Sequence, residues 1–244
     1  MLIFVSGLLA VCVAFGMRDL HERGVEYHAL LLAACAGMSL LAVSNSFVTT
    51  FVALELFSIC LYVLVAIETD DLLSLEGGLK YLIVGSVGAA FLLYGGALVY
   101  AASGQLEFDR IRAALADGDP HGVLLLAGIA FVLVGLAFKA NAAPFHMWTP
   151  DAYEGAPTPV TTFMSAATKV AALVIALRVL VTAFPRQSDV WEIGLAGIIF
   201  ACFIAGNLGA LRQSNVKRLL AYSTVAHSGF LLTAVAAHSA LGGR

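Results

Sequence analysis

The sequence predicts an all-α polytopic membrane protein with about eight transmembrane helices. Composition predicts the membrane. Of 244 residues, 61% are apolar and 12% are charged, against roughly half and a quarter in soluble domains. Mean hydropathy is +0.94. So few polar side chains cannot cover the outside of a soluble globule. Segmentation predicts the helices. The apolar residues run unbroken for ~20 positions, the length a helix needs to cross the bilayer core. A β-barrel would instead alternate polar and apolar residues along ~10-residue segments. These observations exclude a soluble enzyme and a disordered chain. With a net charge of −3 they also exclude a nucleic-acid binder working through a basic face.

Eight apolar runs qualify as spans, at roughly 1–17, 28–45, 47–67, 79–102, 122–148, 157–183, 190–211 and 217–240. The first, MLIFVSGLLAVCVAFGM, has no basic segment ahead of it. That predicts a retained helix rather than a cleaved signal peptide. The second and third form one apolar block, divided at Ser44-Asn45-Ser46, because a single helix of that length would reach ~60 Å, twice the bilayer core. The connections hold most of the charges: Arg18 to Arg23, then Glu68, Asp70, Asp71 and Glu76, then the longest loop from Glu107 to Pro120, then Arg212, Lys217 and Arg218. No soluble segment interrupts them, so residues 1–244 read as a single bundle. Arg18, Arg23, Lys80, Arg212, Lys217 and Arg218 fall on the side opposite the termini, against Arg110, Arg112, Arg186 and Arg244 on the terminal side. By the distribution of basic residues, both termini face outward.

Three ionisable residues fall within spans, where each costs several kcal/mol, of order 3 or more, unless paired or hydrated. Glu55 lies in the third run, Lys139 past the middle of the fifth, and Lys169 at the centre of the sixth. A buried ion pair could account for Glu55 and one lysine, but not for the second lysine. Intramembrane charges of this kind mark ion or proton pathways. Lysine suits a proton relay because desolvation and a neighbouring carboxylate push its proton affinity in opposite directions. Arginine does not suit one, because it keeps its proton.

The fifth run carries a second anomaly. Pro144 follows Lys139 by five residues. Proline offers no N–H and collides with the carbonyl four residues back, here that of Ala140. The helix is expected to break there, near Asn141, leaving the negative end of a half-helix dipole beside Lys139. The stretch PFHMWTPDAYEGAPTPV that follows holds four of the six prolines and makes a stiff re-entry into the sixth run. Trp148 and Tyr153 suit a membrane interface. His146 and His227 are accessory candidates for the relay. Ser223 with His227, and Thr224 with Ser228, form a polar stripe at helical spacing in the last run, a pattern that commonly packs helices in lipid. Arg178 is placed to snorkel to the interface, and Glu76 with Lys80 to pair at i, i+4. Cys12, Cys35, Cys60 and Cys202 sit singly in apolar runs and read as buried small hydrophobes rather than disulfides or metal ligands. The chain has no cysteine cluster and no glycine-rich phosphate loop after a strand, so no bound cofactor or metal is expected.

The stretch FKANAAPFHMWTPDAYEGAPTPVTTFMSAATKVA resembles the signature of the antiporter-like membrane subunits of respiratory complex I, the NADH–quinone oxidoreductase. ALELFSI around Glu55, residues 74–104, and GNLGALRQSNVKRLLAYSTVAHSGFLL at 206–232 extend the likeness over nearly the whole chain, towards the subunit N branch of that family. The resemblance implies two inverted five-helix repeats. Residues 1–27 would be a leading helix and loop, 28–184 the complete first repeat, and 190–244 the start of the second. It implies that Glu55, Lys139 and Lys169 are the relay glutamate and lysines, with the break at Pro144. Against the family pattern the chain lacks helices at both ends.

The resemblance further implies a proton-translocating subunit in the bacterial inner membrane, without a redox centre of its own. Its partners would be the lipid bilayer and the other membrane subunits, with NADH and quinone bound by subunits elsewhere. Three further readings share the motif: a multisubunit Na⁺/H⁺ antiporter, a membrane-bound hydrogenase arm, and an inactive truncated scaffold.

Overall fold

The structure is a computed structural model and describes residues 1–16, 24–116 and 122–242. Among the described residues it has ten α-helices: α1 (Leu2–Ala14), α2 (Gly24–Val43), α3 (Phe47–Val65), α4 (Leu72–Ser103), α5 (Phe108–Ala114), α6 (Val123–Lys139), α7 (Thr149–Gly155), α8 (Thr158–Leu177), α9 (Ser188–Leu211) and α10 (Val216–Gly242), with a π-helical turn at Arg178–Ala183 and a 3-10 turn at Pro185–Gln187 between α8 and α9. All eight predicted runs are helical. Six helical segments are long and apolar enough to cross a membrane, while α1 and α6 are shorter apolar helices. The charged loop 18–23, the loop segment 117–120 and Arg244 lie outside the described residues.

The division of the long apolar block falls where the sequence places it. α2 ends at Val43, and Ser46 caps α3 by accepting the Thr49 N–H at 3.2 Å. Two short helices are additions to the predicted spans. α5 lies in the loop after α4 and buries Phe108 and Ile111. It is held there by backbone hydrogen bonds between Asn45 and Phe108 and between Phe47 and Leu106. α7 follows the break in the fifth run. α4 starts seven residues earlier than predicted, because Asp71 accepts the Leu73 N–H and caps it. At its other end Gly104 takes the left-handed conformation, φ 67°, that closes the helix.

The helices pack pairwise, α2 along α3, α4 along α6, α1 along α8 and α9 along α10. The α4–α6 seam is made by small residues, as expected where lipid supplies no hydrophobic drive between helices. A Cβ added at Gly95 would stand 2.7 Å from the Val132 amide nitrogen, and one at Gly135 2.8 Å from that of Leu92. This close approach fixes where the end of α6 lies.

The break falls where the clash of Pro144 with the Ala140 carbonyl predicts it, near Asn141. α6 stops at Lys139, and Asn141 adopts φ 57°. The proline ring excludes the helical position of the Ala140 carbonyl and disfavours helical geometry in the residue before it. The disturbance therefore propagates back by a turn. The chain restarts as α7, with Pro150 in its first turn, where a missing N–H costs nothing. Trp148 and Tyr153 are fully buried, contrary to the interfacial expectation. Trp148 stacks on Tyr81 of α4 with ring centres 4.0 Å apart. Cys35, Cys60 and Cys202 are buried as predicted, whereas Cys12 is exposed on α1.

Candidate functional site at the helix break

Lys139 ends α6 facing α3. Its side chain is buried, at 8% exposure, and its Nζ donates to Ser58 Oγ at 3.0 Å. Ser58 in turn donates to the Leu54 carbonyl. Glu55 and Ser58 are one helical turn apart and share a face of α3. Glu55 lies within electrostatic reach of Lys139, yet the two form no ion pair within 4.0 Å, and Glu55 Oε1 is buried without a hydrogen-bond partner. The packing alternative, in which one lysine is tied to Glu55 in a locked salt bridge, is therefore not what the side chains do.

Lys169 lies on α8, at 9% exposure, and faces α10. Its Nζ donates to the Thr224 carbonyl at 2.6 Å. The Cys202 thiol of α9 is near enough to act on its charge, and that sulfur accepts the Ala143 N–H at 3.1 Å, pinning the broken segment. On its other side Lys169 lines a cavity of about 610 Å³ between α8 and α10. The wall of that cavity is mostly apolar, with Thr161, Ser165, Lys217, Thr224 and His227 as polar residues among its lining. Tyr153 of α7 also lines it. The buried Tyr153 hydroxyl lies against the side chains of Asn141 and Thr224, which joins the broken segment to α10.

The two lysines are brought to opposite sides of the break, and α10 links them. Ser228 Oγ donates to the Ala140 carbonyl at 2.5 Å and is 3.1 Å from the Thr224 carbonyl, which also receives Lys169. The accessory histidines are less central. His227 is exposed towards the cavity and bonds back to the Ser223 carbonyl at 2.8 Å. His146 packs near Tyr222.

Charged groups at one end of the bundle hold the broken segment in place. Asp151 of α7 accepts from Lys80 at 2.7 Å and Arg218 at 2.6 Å, and Arg218 also binds Glu154 at 2.7 Å. Lys80 pairs with Glu76 as predicted, at 2.6 Å. Burial raises the proton affinity of the Asp151 carboxyl. The hydrogen bonds from Lys80 and Arg218 outweigh it and hold the group below the ordinary carboxylate range. Arg178 donates to the Ala42 carbonyl at 3.4 Å rather than only reaching for the interface.

Sequence reasoning did not single out Ser58, Cys202 or the Asp151 clamp. Ser58 was accessible, as the polar residue one turn after Glu55. The pairing of Cys202 with Ala143 had no local signal, since it joins positions 59 residues apart.

A polytopic helical bundle with two buried lysines flanking a broken helix defines an antiporter-like membrane subunit. The chain belongs to the NADH:quinone oxidoreductase/Mrp antiporter transmembrane family, whose model matches residues 44–243. It is 43% identical over 97% of its length to the NADH-quinone oxidoreductase subunit N of Parvibaculum lavamentivorans, and 49% identical over 90% of its length to that of Mycobacteroides abscessus. It spans about half of these curated relatives, 48% and 42% of their lengths. Among solved structures it is similar to a chain of respiratory complex I from Thermus thermophilus, with a TM-score of 0.81 and 40% identity, covering 96% of this chain and 49% of that one. It is also similar to a chain of the Mrp complex from Dietzia, with a TM-score of 0.77 and 26% identity, covering 86% of this chain and 39% of that one.

Proposed function

We propose that the chain is a proton-translocating membrane subunit of an NADH–quinone oxidoreductase, seated in the bacterial inner membrane beside other membrane subunits. Electron transfer from NADH to quinone takes place in other subunits elsewhere in the complex, and this chain contributes no redox centre. Residues 28–184 form the first of two inverted units, and 190–244 open the second. Glu55 sets the charge balance at Lys139, and Lys139 exchanges its proton with Lys169 through water at the break. The observation that carries this reading is the pair of lysines, each less than a tenth exposed and neither ion-paired, on either side of a mid-span helix break. Unpaired charges at such depth are costly and are retained for transport.

The test replaces Lys139 with Ala in the assembled complex in native membranes and counts protons moved per electron transferred. The ratio is expected to fall. An unchanged ratio overturns the role of Lys139. The likeness to the Mrp complex supports a second reading, cation/proton antiport. Sodium-dependent proton movement without NADH or quinone would favour it.

A further inference from the structure

We propose that Ser228 is the positioning residue that couples the charge on Lys169 to the broken end of the helix carrying Lys139. The inference rests on the relay reading above and adds to it a physical link between the two lysines.

The link begins with Pro144. In an unbroken helix the Ala140 carbonyl would accept the N–H of residue 144. Proline has none, and no other backbone N–H among the described residues reaches that oxygen. A buried carbonyl left in this way seeks another donor. Ser228 of α10 supplies it, with Oγ 2.5 Å from the Ala140 oxygen. The same hydroxyl is 3.1 Å from the Thr224 carbonyl, its natural partner four residues back on its own helix. A hydroxyl carries one hydrogen and rotates to suit its surroundings. The two acceptors compete for it, and changing partner moves only that hydrogen.

Lys169 decides the competition. Its Nζ donates to the Thr224 carbonyl at 2.6 Å. An ammonium is the stronger donor and draws on the electron density that Ser228 would otherwise use. With Lys169 charged, Ser228 turns to Ala140 and caps the end of α6. With Lys169 neutral or displaced, Ser228 returns to Thr224, and the Ala140 carbonyl beside Lys139 is released. That freed oxygen is a negative pole one residue from Lys139, and it favours a proton there. Loading one lysine and unloading the other are thereby opposed. A void of about 10 Å³ bounded by Ala140, Lys169 and Ser228 adjoins the switch, the space of roughly one water. Ser228 is itself 1% exposed, so bulk water does not compete for its hydrogen.

The experiment compares Ser228→Ala, Ser228→Cys and Ser228→Thr in the assembled complex in native membranes, with protons per electron as the readout. Cysteine occupies the site with only a weak donor, and threonine keeps the hydroxyl. The expected result is a lowered ratio in S228A and S228C, with recovery in S228T. Should S228A fail to assemble, S228C carries the same comparison. A ratio that follows side-chain size rather than the hydroxyl, or that is normal in S228C, overturns the coupling role. Lys169→Ala, measured alongside, separates the two ideas. A lowered ratio in K169A beside a normal one in S228C leaves the relay standing and removes the switch. Normal ratios in both remove the relay itself.

Discussion

The α4–α6 seam makes a sharp prediction about Gly95. Substitution of a helical glycine by alanine ordinarily stabilises a helix by about 1 kcal/mol. At Gly95 the new methyl group would meet the Val132 amide nitrogen at 2.7 Å and the Gly128 carbonyl oxygen at 2.9 Å. Both are backbone atoms and cannot rotate away. Ordinary contact begins at 3.4 Å, so the helices must part by about 0.7 Å, an overpacking that costs roughly 1–3 kcal/mol. Because no side chain can yield, the upper part of that range applies. After the gain in helix propensity, a net destabilisation of about 1–2 kcal/mol remains. Gly197 of α9 is the control, since a Cβ there meets nothing within 4 Å. Gly197→Ala should be neutral or stabilising by up to about 1 kcal/mol. The assay is a thermal melt of the two purified variants in detergent beside the parent. Equal melting of G95A and G197A would refute the reasoning that backbone-to-backbone contact positions α6.

The Asp151 carboxyl is held below its unfolded value of about 3.9 by Lys80 and Arg218 against the opposing effect of burial. Its contribution is therefore fully present above that value and is lost as pH falls through the lower folded one. Stability measured from pH 6 downward should lose a component below about pH 4, and Asp151→Asn should remove that component while lowering stability at neutral pH. At Cys202, replacement by Ala strips the Ala143 N–H of its acceptor. It is expected to destabilise by about 1 kcal/mol, with Cys202→Ser milder, and thermal melts of both variants check the order.

Much of the architecture was legible because lipid imposes long, simple signals. Every predicted span is helical, and the serine-flanked division of the long apolar block follows from length alone. Lys139, Lys169 and Glu55 stood out because charge in an apolar run has no cheap structural explanation. The misplacements have local causes. α5 is too short for a periodic signal, and only the burial of Phe108 and Ile111 reveals it. Trp148 and Tyr153 carry interface chemistry, but the re-entrant segment folds them inward against α4 and the cavity wall. Ser228 read as packing glue because its significance depends on a carbonyl 88 residues away, a pairing that no periodicity encodes.

The account turns on Lys139 exchanging a proton rather than merely holding a charge. Lys139→Arg separates the two, because arginine is cationic but does not release its proton. Protons moved per electron in the assembled complex is the measurement. The account predicts a ratio as low in K139R as in K139A, and a ratio preserved in K139R would contradict it.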